Sequence, residues 1–219
     1  MLWGFKIKYA RCLIDLKSDN SLEFKMIQPK ILAFAGSTRQ DSYNKKLVKI
    51  AASGAQAAGA EVTTIDLKDF PLPLYDGDLE TNDGIPPNAQ KLKKLFLENH
   101  GLLISAPEYN SSISGVLKNA IDWVSRANPG EPPLACFDGK VAGLMSASPG
   151  ALGGLRGLVT VRSILGNIRV LVLPDQVAVP RAMEAFNSDG TLKDSKQKDS
   201  VEKIGKELVK ILTKLRSPA

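Results

Sequence analysis

A short polar stretch directly after the first apolar run of the chain carries the residue types that bind anions. The run ends at Gly36, and hydroxyl, guanidinium and amide side chains follow at once. Apolar residues then recur at helical spacing, which predicts a turn between a buried strand and a helix. Backbone N–H groups and the positive end of a helix dipole meet at such a turn, an arrangement that suits a phosphate. The side chains that could add hydrogen bonds or charge are Ser37, Thr38, Arg39, Ser42 and Asn44.

The pattern of this turn excludes two common phosphate-binding motifs. No lysine follows a second glycine, as a nucleoside triphosphate loop requires. Gly36 also lacks the further glycines that allow close approach of a dinucleotide pyrophosphate. A single terminal phosphate, as on a mononucleotide, needs neither feature. An ordinary strand–helix turn, in which a serine or asparagine caps the helix, would carry the same residues and remains an alternative.

Two further loops follow predicted buried strands, a polar one at 107–112 and a glycine-rich one at 148–154. In an open parallel sheet, ligands bind beyond the carboxyl ends of the strands, where the strand order reverses. We therefore expect these loops and the turn at 36–44 to form one pocket. Pro107 ends its strand and leaves the N–H groups after it free for the edge of a flat heterocycle. Tyr109 offers that ring a stacking face, or packs on the neighbouring helix instead.

The same loops lack the arrangements of a hydrolase. Glu108 has no carboxylate or histidine near it in sequence, so we do not expect it to act as a general base. Ser148 has no GxSxG turn around it, and no cysteine lies in the first turn. His100 is the one histidine of the chain, so no zinc site is expected. We predict no catalytic side chain and no metal; any reaction would be carried by a cofactor.

The elements that must position these loops alternate between strand and helix along the chain. Strands are predicted at 31–35, 60–66, 101–106, 140–147 and 169–173, and helices at 44–58, 88–99, 113–126, 155–167 and 201–215. This alternation predicts an α/β fold with helices on both faces of a parallel sheet. We expect a flavodoxin-like three-layer sandwich whose five parallel strands lie in the order 2-1-3-4-5. The segment 67–87, rich in proline and glycine, is predicted to be a long loop.

Composition limits the classes of partner. The chain has 219 residues and a formal charge of +6, but its basic residues are mixed with acidic ones and only 6% of residues are aromatic. This pattern does not favour nucleic-acid binding. No apolar run is long enough to cross a bilayer, since arginines interrupt the longest one at 152–173. Two cysteines without a CxxC pair fit a reducing compartment, and we expect a cytoplasmic protein.

The first residues resist assignment to the fold. Lysine and arginine interrupt the apolar character of the first 13 residues, unlike a signal peptide, and acidic residues follow, unlike a transit peptide. We expect residues 1–25 to be a loosely packed N-terminal extension. Residues 26–219 are then predicted to form a single domain.

Four motifs together make the chain resemble the NADPH-dependent FMN reductase family, which includes bacterial quinone, chromate and azo-dye reductases. They are Gly36–Asn44 (GSTRQDSYN), Pro107–Asn110 (PEYN), Gly115–Arg126, and Ser148–Gly150 with Gly153–Gly154. The similarity extends from about Lys30 to Leu173, in the order and spacing of the family.

The resemblance implies FMN held noncovalently in a flavodoxin-like fold. It places the phosphate at Ser37, Arg39, Ser42 and Asn44, and the flavin ring at Pro107, Glu108, Tyr109 and Asn110, with Ser148 as a further contact. It also implies NADPH or NADH as the hydride donor and a small-molecule acceptor such as a quinone, a flavin, an azo dye or a metal oxyanion. A homodimer or homotetramer is expected as well.

Two other classes of flavin protein share much of this pattern. A flavodoxin-type electron carrier has no nicotinamide site, and such carriers are generally acidic, whereas this chain is basic. A flavin-binding sensor would hold the same cofactor without turnover. Both remain alternatives at the level of sequence.

Overall fold

The computed structural model describes residues 28–216, which contain one parallel sheet and a short hairpin. The strands are β1 (Lys30–Ala35), β2 (Glu61–Asp66), β3 (Gly101–Ser105), β4 (Glu108–Tyr109), β5 (Ser112–Ile113), β6 (Val141–Ala147) and β7 (Leu171–Val179). Strands β4 and β5 form an antiparallel hairpin, and the other five form a parallel sheet in the spatial order β2–β1–β3–β6–β7. Counted among the sheet strands alone, this order is 2-1-3-4-5, as predicted.

Helices cover both faces of the sheet and complete the three layers. They are α1 (Tyr43–Ala57), α2 (Gly77–Asp83), α3 (Pro87–Glu98), α4 (Gly115–Val124), α5 (Leu155–Asn167), α6 (Ala182–Ala185) and α7 (Ser195–Arg216). Helices α1 and α7 pack on one face of the sheet, and α3, α4 and α5 pack on the other. Because β1, β3 and β6 are buried on both faces, their sequences are continuous apolar runs rather than alternating ones.

Helices α1 and α7 approach each other more closely than side chains would allow. A Cβ atom on Gly54 would lie 2.2 Å from the carbonyl oxygen of Glu202, and one on Gly205 would lie 2.1 Å from that of Ala51. Backbone therefore packs directly on backbone at this crossing. The two glycines set the distance between the helices on this side of the sheet.

Several predicted boundaries differ from the structure, for local reasons. The segment predicted as one long loop contains a 3-10 helix at Leu67–Asp69 and the helix α2, which Asp76 caps through its side chain. The predicted helix at 113–126 begins later, at Gly115. Strand β7 runs to Val179 rather than 173; it passes through Pro174, which an edge strand tolerates because its outer N–H groups need no partner.

The last two helices show what periodicity alone overlooked. Helix α7 starts at Ser195, six residues before the predicted start, because its first turns are charged and exposed and carry no apolar stripe. The four-residue helix α6 is too short for a periodic signal. The predicted extension at 1–25 lies outside the described residues. None of the helices within 28–216 is long and apolar enough to cross a membrane.

His100 joins the amino ends of two neighbouring strands. Its backbone N–H donates to the carbonyl of Lys30 at 2.8 Å, and its Nδ1 accepts a hydrogen bond from the backbone N–H of Lys30 at 3.1 Å. Burial, and then the charges of Arg216, Lys140 and Lys30, lower the pKa of His100 from 6.5 to about 4. A protonated Nδ1 could not accept the bond, so geometry and electrostatics both favour the neutral ring.

We expect the single histidine signal in an NMR titration to report a pKa near 4. The folded protein then stays unprotonated at His100 while the unfolded chain binds a proton near pH 6.5, so the free energy of unfolding should fall as the pH drops from about 6.5 to about 4. Carboxylates also titrate in part of this range. The variant His100→Gln isolates the histidine contribution, because its stability should fall less over the same interval. Parallel pH profiles for the two proteins would contradict the prediction.

Candidate functional site

The turn that follows β1 is held by hydrogen bonds at its first residue, Gly36, and residues 38–41 reach the surface. The N–H of Gly36 donates to the carbonyl of Ser105 at 2.9 Å, and the Oγ of Ser114 donates to the carbonyl of Gly36 at 2.6 Å. The turn is thereby fixed both to β3 and to the first turn of α4. Ser37 is buried and its Oγ accepts from the N–H of Arg39 at 3.3 Å, whereas Thr38 and Arg39 themselves are exposed.

This turn leaves hydrogen-bond donors without acceptors. Within residues 28–216, the backbone N–H groups of Ser37, Thr38, Tyr43 and Asn44 have no acceptor. Ser42 occupies the capping position of α1, yet its side chain makes no capping bond. The first N–H groups of a helix have no partner within that helix, and no side chain of the described residues caps them here, so they are available to an anion.

Arg39 adds a free positive charge to the turn. No carboxylate of the described residues lies within 4 Å of its guanidinium. An exposed arginine without a carboxylate partner, next to unpaired N–H groups, is suited to a charge-assisted bond with a phosphate. These residues fit the terminal phosphate of a mononucleotide.

Asn44 has a different role from the other polar residues of the turn. Its Nδ2 donates to the carbonyl of Ala147 at 2.9 Å, and its Oδ1 accepts from the N–H of Ala147 at 3.0 Å and from the Oγ of Ser105 at 2.8 Å. The side chain therefore links α1 to the carboxyl ends of β3 and β6 in a buried network. Asn44 fixes the relative positions of the loops, and its backbone N–H remains free for a ligand.

The second loop folds as the hairpin of β4 and β5. Pro107 is buried, and Asn110 and Ser111 form the two-residue turn with φ angles of 51° and 64°. Positive φ at both central residues is the geometry of a type I′ turn, which asparagine tolerates well. Tyr109 is 53% exposed, so a large part of this residue faces solvent and is accessible to a ligand.

Glu108 holds this hairpin against the first turn of α5. Its Oε2 accepts from the backbone N–H of Gly157 at 3.0 Å, and its Oε1 lies 3.3 Å from the Nε of Arg156. A carboxylate at the amino end of a helix is also favoured by the helix dipole. Both oxygens are thus engaged in positioning the loop.

We expect Glu108→Ala to lower the free energy of unfolding by about 1–3 kcal/mol, because the N–H of Gly157 loses its acceptor. Glu108→Gln keeps an acceptor and loses mainly the ion pair with Arg156, whose side chain is 61% exposed, so its cost should stay below about 1 kcal/mol. Urea unfolding measures both, and Arg156→Gln is the matched control for the ion pair alone. A glutamine variant as unstable as the alanine variant would show that the charge, rather than the bond to Gly157, fixes the hairpin.

The third loop follows β6 and meets the other two at the same edge of the sheet. The N–H of Ser148 donates to the carbonyl of Val179, its carbonyl accepts from the N–H of Ala182, and its hydroxyl makes no bond within 28–216. Gly153 and Gly154 both have positive φ, 63° and 91°, and bring the chain back to start α5.

The structure brings the three predicted loops together. Strands β1, β3 and β6 are neighbours, so their carboxyl ends form one edge from which all three loops emerge. Sequence reasoning missed Ser105 and Ser114, which connect the loops, because their partners are distant in the chain. The type I′ hairpin could have been recognised from the Asn110-Ser111 pair. Fold and site together define a flavodoxin-like α/β protein with a mononucleotide-type site at the carboxyl edge of its sheet.

Comparison with known proteins identifies the family within this class. The family model described as NADPH-dependent FMN reductase matches residues 29–184. The chain is 34% identical to an NAD(P)H-dependent FMN reductase of Pseudomonas aeruginosa over 174 residues, covering 79% of this chain and 89% of that protein. It is 33% identical to an NAD(P)H:quinone oxidoreductase of Solanum tuberosum over 192 residues, covering 85% of this chain and 94% of that one.

Among solved structures, the fold is similar to FerB, a flavoenzyme NAD(P)H:(acceptor) oxidoreductase of Paracoccus denitrificans. The TM-score is 0.71 at 26% identity, covering 85% of this chain and 98% of FerB. The chain belongs to the NADPH-dependent FMN reductase family. The predicted family, the oxidoreductase class, and the cofactors FMN and NAD(P)H are thereby confirmed.

Proposed function

We propose that this protein binds FMN noncovalently and uses it to pass reducing equivalents from NAD(P)H to a small-molecule acceptor. The observation that carries the proposal is the turn after β1, where N–H groups and the Arg39 guanidinium, without partners among residues 28–216, lie at the same sheet edge as the exposed Tyr109. One end of this site suits a phosphate and the other suits a flat ring, as FMN requires. Family membership supports the same cofactor.

In this proposal the phosphate contacts come from the turn after β1. The contributing groups are the hydroxyls of Ser37, Thr38 and Ser42, the guanidinium of Arg39, and backbone N–H groups that include that of Asn44. The buried side-chain bonds of Asn44 keep the turn in register with β3 and β6. Because the donors are already fixed before the ligand arrives, little ordering entropy is lost when the phosphate binds.

The ring contacts are proposed to come from Pro107, Glu108, Tyr109 and Asn110, largely through backbone atoms, and from Ser148. The chemistry that bound FMN supplies is two-electron transfer at its N5, from NAD(P)H to the acceptor in ping-pong order. Backbone N–H groups of the hairpin would stabilise negative charge on the ring, and these groups neither gain nor lose a proton in doing so. Glu108 and Asn44 contribute by keeping the loops in place.

No side chain is proposed to act as an acid or base. The carboxylate of Glu108 is engaged with Gly157 and Arg156. His100, the one histidine of the chain, lies at the amino end of β3, at the opposite edge of the sheet from the site. Proton exchange with solvent at the open site is sufficient for this chemistry.

We further propose quinones, flavins, azo dyes or metal oxyanions as acceptors, and a cytoplasmic homodimer or homotetramer as the working form. Relatives named as quinone oxidoreductases support the first of these acceptors. Exposed apolar side chains on α5 and just before it, at Leu152, Leu155 and Val159, support self-association close to the site. Size-exclusion chromatography with light scattering and an acceptor panel test these points.

The decisive experiment is anaerobic addition of NADPH to the FMN-loaded protein. We expect rapid bleaching of the flavin absorbance, followed by recovery of the yellow spectrum when a quinone is added. Loaded protein that does not bleach would favour the electron carrier or the sensor instead. Protein that stays colourless with FMN in excess would contradict the proposed cofactor site itself.

A further inference from the structure

A cavity of about 220 Å³ adjoins the turn after β1, residues 36–44, on the side away from the hairpin. This turn, to which the FMN phosphate is assigned above, is called the phosphate turn below. It lies between the segment that follows β2, up to Leu72, and the helices α3 and α4, and Thr38 of the phosphate turn forms part of its wall. Strand β2 lies on the opposite side of β1 from β3 and β6. The phosphate turn therefore separates this cavity from the loops assigned to the flavin ring.

The wall of the cavity is held in a fixed position. The carbonyl of Pro73 accepts from the Nδ2 of Asn119 at 2.9 Å and from the Nε1 of Trp123 at 2.8 Å, and the N–H of Tyr75 donates to the Oδ1 of Asn119 at 2.8 Å. The Tyr75 ring packs edge-on against Trp123 at 5.0 Å between centroids. Three hydrogen bonds and an aromatic contact thus tie the loop to α4, so the cavity is preformed.

The lining of the cavity suits a flat apolar group with a negative charge at its open end. Leu67, Leu92 and Ala120 are buried on its floor, and Phe70, Leu72 and Val116 line its sides. Lys68 and Thr38 are its exposed polar members. Within 28–216 no carboxylate lies within 4 Å of the ammonium of Lys68, and the neighbouring Asp66 pairs with Lys45 at 2.5 Å.

We propose that this cavity receives the adenosine end of the dinucleotide donor, with Lys68 beside its phosphate. The inference rests on the proposed function, in which the nicotinamide lies at the hairpin and the rest of the donor extends beyond it. A purine ring fits between apolar walls, and a lysine at the mouth is a suitable point charge for a phosphate. Thr38 belongs both to the cavity wall and to the turn after β1, so the cavity adjoins the proposed cofactor site.

The test uses two variants and one control in the FMN-loaded protein. Val116→Trp adds bulk at the mouth of the cavity, where Val116 is 37% exposed and a larger side chain can be accommodated without unfolding the core. Lys68→Glu reverses the charge without changing the walls. Lys49→Glu, an exposed lysine of α1 on the other face of the sheet, is the matched control for net charge.

The readout is equilibrium binding of adenosine 2′,5′-bisphosphate by calorimetry. We expect both cavity variants to bind it at least 10-fold more weakly than the parent protein and Lys49→Glu to bind it normally, with FMN retention unchanged in all three. The KM for NADPH should rise in the two cavity variants, whereas reduced nicotinamide mononucleotide, which lacks the adenosine half, should be used as well as by the parent.

Three results would overturn the inference. The first is parent-like binding of the bisphosphate by Val116→Trp and Lys68→Glu. The second is an equal loss of activity with NADPH and with reduced nicotinamide mononucleotide. The third is reduced FMN retention in Val116→Trp, which would assign the cavity to the flavin. Each is distinct from failure of the proposed function, in which the parent protein itself would not bind FMN or would not bleach with NADPH.

Discussion

Replacing Arg39 with alanine is expected to weaken FMN binding by about 1.5–3 kcal/mol, the range for a hydrogen bond to a charged group. This corresponds to a loss of about 10- to 150-fold in affinity. The physical reason is that Arg39 has no carboxylate partner in the described part of the chain, so its removal takes a cation from the phosphate site without breaking a contact of the fold.

The measurement is an FMN titration followed by quenching of flavin fluorescence, at two salt concentrations. Binding by the parent protein should depend more on salt than binding by Arg39→Ala, because one charge–charge contact is lost. Arg169→Ala serves as the control: this arginine is also exposed but pairs with Asp138 at the opposite edge of the sheet. Unchanged FMN retention in Arg39→Ala would remove Arg39 from the site.

Gly205→Ala should be strongly destabilising, lowering the free energy of unfolding by about 2–4 kcal/mol. The added Cβ would lie 2.1 Å from the carbonyl oxygen of Ala51 and 2.7 Å from the backbone nitrogen of Ala55. Both obstacles are backbone atoms of α1, so a rotamer change cannot relieve the clash. The helices must separate, and α1 is the helix whose amino end carries the phosphate turn.

Urea unfolding with circular dichroism measures this effect, and Gly166→Ala is the matched control. Gly166 also lies within a helix, but a Cβ there has no neighbour within 4 Å. Its replacement should leave stability unchanged or raise it by up to about 1 kcal/mol through helix propensity. Equal midpoints for the two variants would show that α1 and α7 do not need close backbone contact.

Separation of α1 and α7 should also reach the cofactor site. Asn44, in the first turn of α1, is bonded to Ala147 and Ser105 at distances that a shift of the helix axis would lengthen. A folded but loosened Gly205→Ala protein is therefore expected to bind FMN less tightly than Gly166→Ala. The same titration used for Arg39→Ala provides this comparison.

The sequence by itself determined the fold of this protein and the position of the polar turn that is proposed to bind the phosphate. Buried strands such as 101–105, helices such as 155–167 and the change of period after Gly36 are encoded by neighbouring residues, so they can be recognised without a structure. Strand order followed from those elements, since right-handed crossovers and one switch point leave few topologies. The family motifs fall on the same local segments.

Only the tertiary structure decided what individual polar residues do. Asn44 belongs by sequence to the phosphate turn, yet its side chain is bonded to Ala147, 103 residues away. Glu108 belongs to the ring loop, yet its carboxylate holds α5 through Gly157, 49 residues away. The cavity beside Thr38 likewise has walls from four separate segments. Such roles depend on which surfaces the packed core brings into contact. The periodicity of residues along the chain does not show which residues distant in sequence become neighbours.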